Sequence, residues 1–119
     1  MKINLKRVYD PVSKEDGVRI LIERLWPRGV KKEDLKMHEW LKEVAPSTDL
    51  RKWFSHDPVK WKEFQKRYFE ELNKNSEALE PLIKALRKDT VTLLYSSKDT
   101  EHNNAVSLKN YLEKNVKKS

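Results

Sequence analysis

The chain contains no cysteine. That excludes disulfides, zinc–thiolate sites and a cysteine nucleophile. It has two glycines, Gly17 and Gly29. Two cannot build a glycine-rich phosphate loop of either common kind, and no Gly-x-Ser-x-Gly elbow is present. No run of about 18 apolar residues occurs, so no membrane span is expected. The amino terminus, MKINLKRVYD, scatters its charges and has no apolar core segment, so no signal peptide is expected. The three histidines, His38, His56 and His102, show no regular metal-ligand spacing, and no metal site or cofactor is predicted. The aromatic-basic pattern of RNA-binding sheets is also missing. A cytoplasmic location without a membrane partner is the resulting expectation.

What the chain does have is charge. Its 26 basic and 19 acidic residues give a net charge of +7, and 38% of all residues are charged. A basic domain invites a nucleic-acid partner. However, the lysines are spread over almost every segment and mixed with glutamates. That is also the pattern of a solvated surface or of a heat-adapted protein. Both readings stay open. A length of 119 residues fits one domain, residues 1–119, able to bury a core.

Lys2 to Tyr9 alternates apolar and polar residues and predicts a strand. Asp10 to Gly17 is a loop dense in turn residues. Val18 to Leu25 predicts a second strand, and its Ile20-Leu21-Ile22 centre reads as covered on two faces. Lys31 to Leu35 predicts a short helical turn. Met37 to Leu41 fits either a strand or a helical piece. Ala45-Pro46-Ser47 breaks the chain, and Ser47 or Thr48 caps a short helix with Leu50, Trp53 and Phe54 on one face. Asp57-Pro58 starts a helix to about Asn73, with Trp61, Phe64, Tyr68 and Leu72 on one stripe. Ser76 starts another, in which Pro81 is tolerated near the first turn. Thr90 to Tyr95 predicts a strand. A last helix follows from about His102 to Val116, and the lysine-rich tail is expected to fray. Strands followed by helices predict an α/β domain with a small, largely parallel sheet flanked by helices.

Two stretches carry candidate chemistry. In Arg24-Leu25-Trp26-Pro27-Arg28-Gly29, Pro27 fixes its own φ and pushes Trp26 towards an extended conformation, while Gly29 permits a turn. Two guanidinium groups on a stiff turn beside an aromatic face suit an anion. Arg7, at the end of the first strand, would add to that lining. The alternative is that each arginine pairs with a nearby Asp10, Asp16 or Glu23. The second stretch is Ser96 to Asn104, a hydroxyl- and amide-rich loop between a strand end and a helix start, where ligands of α/β sheets gather. The same residues also suit an ordinary capped turn. His102 is the better placed histidine for proton transfer. His56-Asp57 is a weaker pair, because Asp57 is already explained as a cap. Of the four tryptophans, Trp26 is expected to be partly exposed and Trp40, Trp53 and Trp61 to be core. A helix-turn-helix between residues 47 and 74 is conceivable, but the aromatic stripe on its second helix argues for burial.

The motifs Arg7-Val8-Tyr9, Asp16-Gly17 with Arg19, and Glu23-Arg24-Leu25-Trp26-Pro27-Arg28-Gly29 belong to a pattern. It continues in Ala45-Pro46-Ser47, Leu50-Arg51, Trp53-Phe54, His56-Asp57, Phe64, Tyr68, Glu71-Leu72, Thr92 to Tyr95, Asp99 and His102-Asn103-Asn104-Ala105 with Leu108. Over nearly its whole length the chain resembles the YeaO-like family, domain of unknown function 488. The resemblance implies a compact bacterial and archaeal cytoplasmic α/β domain, and it carries over no catalytic role. Larger relatives have cysteine-containing segments near the equivalent of Tyr95 to Asn104, and this chain has none. Glu23 stands where many such chains have Asp, and Asn104 where many have His.

The reading favoured by the sequence is a domain that binds a small anionic molecule, with an enzymatic role left open. Arg7, Arg24, Trp26, Arg28, Ser96, Asn103 and Asn104 are the candidate ligand-binding residues, and Asp99 and His102 the candidates for proton transfer. The alternatives are a nucleic-acid-associated protein or transcriptional regulator driven by net charge, and a scaffold that binds protein through Trp26. All site readings require the two stretches to meet in space.

Overall fold

The computed structural model describes residues 2–116, so the lysine-rich tail beyond Val116 lies outside the described residues. Four strands, β1 (Ile3–Arg7), β2 (Val18–Leu21), β3 (Glu39–Trp40) and β4 (Val91–Tyr95), form one sheet in the order β1-β4-β2-β3. Every neighbouring pair is parallel. β4 is central, and all five of its residues are buried, which is why Val-Thr-Leu-Leu-Tyr does not alternate polar with apolar; its one hydroxyl, on Thr92, donates to the Asp16 carbonyl (2.7 Å).

Four helices complete the chain: α1 (Thr48–Phe54), α2 (Trp61–Lys74), α3 (Ser76–Lys88) and α4 (Asn104–Asn115). Side chains of all four pack with Ile3, Ile20, Ile22, Val91, Leu93 and Tyr95 into the main core. Strand residues of the opposite parity, Leu21 and Leu94, point to the other face. There they meet Val8 and Leu35, with Trp26, Val30, Met37 and Trp40 packed against them. The helices therefore gather on one face, and the segment between β2 and β3 covers the other. The sequence reading of Ile20-Leu21-Ile22 as doubly covered agrees with this.

Boundaries differ where tertiary contacts take over. β2 ends at Leu21, not Leu25. The Ile22 N–H still reaches the Leu94 carbonyl (3.2 Å), after which the Glu23 side chain binds the loop beyond β4. Lys31 to Leu35 is a turn closed by Asp34 N–H on the Lys31 carbonyl (3.0 Å), not a helix. Asp57 caps a 3-10 turn, Pro58–Lys60, and the α-helix begins only at Trp61. α3 starts at Ser76 as the sequence predicts, which makes Pro81 its sixth residue, in the second turn; the carbonyl it leaves unpaired belongs to Glu77, which is exposed. Ser47 accepts from the Leu50 N–H and caps α1 (3.1 Å). Among the described residues no helix is long and apolar enough to cross a membrane.

Candidate functional site

β2 and β4 are neighbours, so the chain segments leaving their carboxyl ends lie side by side. They line one cleft of about 450 Å³. Glu23 joins them. Its Oε1 accepts from the Ser96 N–H (2.8 Å) and Oγ (2.6 Å), and its Oε2 accepts from Asn104 Nδ2 (3.2 Å). Asn104 Nδ2 also donates to the Ile22 carbonyl (2.8 Å). A carboxylate at the end of β2 thus holds both the strand-end loop and the first residue of α4.

The turn after Glu23 is fixed from several directions. Arg24 donates through Nε to the Pro46 carbonyl (3.2 Å) and through Nη2 to the Ala45 carbonyl (2.9 Å), and its Nη1 lies 3.7 Å from Glu43. Trp26 is half-buried and donates its indole N–H to the Val30 carbonyl (2.6 Å). Its ring meets Trp40 edge-on at 5.3 Å. Tyr9 Oη donates to the Arg28 carbonyl (2.9 Å). Gly29 takes φ of 77°.

On the other loop, Asp99 Oδ1 accepts from the N–H groups of Glu101 and His102 (both 2.9 Å), and Oδ2 lies 3.1 Å from His102 Nδ1. These backbone hydrogen bonds, Glu101 first and then His102, hold the Asp99 carboxyl below the usual carboxylate range. The pair fixes which ring nitrogen of His102 is engaged, leaving Nε2 to the surroundings. The His102 ring also meets Trp61 edge-on at 5.3 Å. Asn103 is buried; it caps α4 by accepting from Val106 N–H (3.0 Å) and donates to the Asp99 carbonyl (2.8 Å).

A profile of the family described as the inactive DUF488-N3 subclade, DUF488-N3i, matches residues 2–119. The chain belongs to this family. It is 46% identical over 112 residues to the uncharacterized protein YeaO of Escherichia coli (strain K12), covering 94% of this chain and 97% of that one. It is 37% identical over 107 residues to the uncharacterized protein Rv3073c of Mycobacterium tuberculosis (strain ATCC 25618 / H37Rv), covering 90% of each. No solved structure matches the chain.

In this DUF488-N3i domain, Arg24, Trp26, Arg28, Ser96, His102, Asn103 and Asn104 all line the cleft. Two candidates do not. Arg7 stands behind the Ser96–Ser97 loop, donating to the Ser97 carbonyl from Nε (2.9 Å) and to the Ser96 carbonyl from Nη2 (3.3 Å), with Tyr9 beneath its guanidinium. Asp99 sits one step back and reaches the cleft through His102.

The third wall escaped the sequence reading. It comes from the end of α1 and supplies Arg51, Lys52, Phe54, Ser55 and His56. Ser55 and His56 both adopt positive φ, 46° and 57°. Two consecutive non-glycine residues in that region cost energy and cluster at functional positions. The Leu50-Arg51 and His56-Asp57 pairs within the family pattern were the signal that could have found this wall.

Proposed function

We propose that this domain binds a small anionic molecule in the cleft. The observation that carries the reading is that Arg28, Arg51 and Lys52 all line it, yet none pairs with a carboxylate among the described residues. Uncompensated cations around a concavity concentrate anions, and arginine matches carboxylate or phosphate oxygens two at a time. Trp26, Pro27, Phe54 and Phe64 supply apolar lining, the usual composition of a small-molecule site. Ser96, Asn103 and Asn104 shape the cleft, and Arg7 and Arg24 hold its loops. Membership of a subclade described as inactive accords with binding rather than turnover. We place the domain in the cytoplasm.

A second reading, an enzyme, is favoured by the Asp99–His102 pair at 3.1 Å, a proton-transfer group with its orienter. A polyanion partner has less support. The exposed lysines of α2 alternate with glutamates, and Arg67 is spent on Glu63 (3.0 Å).

The test is an amide-resolved NMR titration at fixed ionic strength with sulfate, small carboxylates and a short DNA duplex. Saturating shifts confined to 24–29, 51–56 and 96–104 are expected with a small anion. Shifts spread along α2, produced by DNA alone, would remove the reading. Turnover of a bound anion that His102→Gln abolishes while affinity persists would establish the enzyme.

A further inference from the structure

Resting on that reading, we propose that the ligand is a phosphomonoester carrying a planar aromatic body. This is the chemistry of a nucleoside monophosphate or of the 5′-phosphate end of a single strand.

Charge selects the head group. Arg24, Arg28, Arg51 and Lys52 line the cleft with one lining carboxylate, Glu23, and Arg24 also has Glu43 3.7 Å away. Glu23 is already occupied by Ser96 and Asn104, and Arg24 by two carbonyls. The three remaining cations ask for more negative charge than one carboxylate carries. A phosphomonoester, at roughly −1.5 to −2 near neutral pH, supplies it with three acceptor oxygens.

The polar groups select the body. A sugar or other polyol is read by free amides and hydroxyls. Here the Asn103 amide, the Asn104 Nδ2 and the Ser96 hydroxyl are engaged within the protein, so the strand-end side of the cleft offers few free donors. Apart from the Ser55 and His56 side chains and His102 Nε2, what remains is apolar lining: half-buried Trp26, whose N–H is spent on Val30, with Pro27 and the 64%-exposed Leu25 beside it. Indole and guanidinium planes stack on any flat π system. The volume of about 450 Å³ lies low in the range of small-molecule sites, roughly 300–1,000 Å³. That suits one nucleotide unit rather than a polymer groove.

The experiment is isothermal titration of the full chain at constant ionic strength with adenosine 5′-monophosphate, adenosine, inorganic phosphate and benzoate. The monophosphate is expected to bind at least about tenfold more tightly than each of the other three, the scale of one stacked base or one charge-assisted bond. Arg51→Gln and Lys52→Gln, whose native side chains make no hydrogen bond among the described residues, are each expected to weaken it several-fold while thermal unfolding stays unchanged. A 5′-phosphorylated oligothymidylate and its dephosphorylated twin separate the sources. Phosphate-dependent binding of the oligomer at or above the monophosphate points to a strand end, and preference for the monophosphate points to a free nucleotide. Benzoate or inorganic phosphate binding as well as the monophosphate would overturn the proposal while leaving the anion site standing. No anion binding in the cleft would overturn both.

Discussion

The Glu23 carboxylate accepts both the N–H and the hydroxyl of Ser96, at 2.8 and 2.6 Å, across 73 residues of chain. With Asn104 on its other oxygen, it joins the ends of β2 and β4 and the start of α4. Glu23→Gln presents an amide donor to groups that are themselves donors. It should lower stability by about 1–3 kcal/mol, the cost of leaving such groups unpaired, with the largest amide shifts at Ser96 and Asn104. Urea unfolding and an NMR spectrum measure this. Unchanged stability would mean that water replaces the carboxylate without loss.

Arg24 and Arg51 should separate structure from binding. Arg24→Ala removes the bonds to the Ala45 and Pro46 carbonyls and should destabilise by about 1–3 kcal/mol. Arg51→Ala leaves hydrogen bonding intact and should reduce anion affinity by a similar free energy with little change in the urea midpoint. Paired unfolding and titration curves decide it, and the reverse pattern would exchange the two roles.

The two glycines should differ sharply on substitution. At Gly17, φ is 64° and a Cβ would collide with the Thr90 carbonyl oxygen, which also accepts from Val18 N–H (2.9 Å). Gly17→Ala should cost more than about 3 kcal/mol. Gly29 has φ of 77°, and a Cβ there would meet nothing within 4 Å beyond its chain neighbours. Gly29→Ala should cost about 1–2 kcal/mol, the left-handed penalty alone. Equal losses in chemical denaturation would contradict the crowding at Gly17.

Stability should fall in acid through Asp16. This residue and Arg19 are buried and paired, and Lys6 Nζ approaches Asp16 at 2.8 Å. Burial pushes the Asp16 carboxyl up, but hydrogen bonds from Lys6, the Ser13 N–H and Arg19 outweigh it and hold the group below its ordinary value. Below the unfolded value of about 3.9 the unfolded chain therefore binds the proton first. The stabilisation is complete above that pH and is lost as pH falls through the lower folded value. Thermal melts from pH 7 to pH 2.5 should show this loss. Asp16→Asn should flatten the acid limb and, by leaving Arg19 charged and buried, destabilise by about 3–5 kcal/mol at neutral pH.

Much of the fold was legible because local and tertiary signals agreed. Val91 to Tyr95 is β-branched and apolar in sequence and central in the sheet. Ser47, Asp57 and Asn103 are capping residues by type and by contact. β2 was overextended because Ile22 and Leu25 continue the apolar residues of Val18 to Leu21 around Glu23 and Arg24, whereas the backbone leaves the sheet once Glu23 finds Ser96. Ser96 to Asn104 was singled out because strand ends in α/β sheets collect ligands, and Arg24 to Gly29 because it sets two guanidinium groups on a stiff Trp-Pro turn; the structure brings the two stretches to one cleft. Arg7 was misplaced as lining because a sequence shows which residue ends a strand, not that its guanidinium reaches round to two carbonyls behind the loop. The wall at Arg51 to His56 was missed because its position depends on how α1 packs and on left-handed backbone at residues that give no local cue.

The adjacency of β2 and β4 acts as a gauge. Neighbouring strands are held about 4.8 Å apart by their hydrogen bonds, so the separation between the Glu23 and Ser96 sides of the cleft is set by the sheet and barely adjustable. The α1 wall has no such fixed rung; it is seated by side chains such as Phe54, stacked on Phe64 at 4.3 Å. Widening or narrowing of the cleft in related chains should therefore come from helix repacking, with the strand-end floor conserved in width.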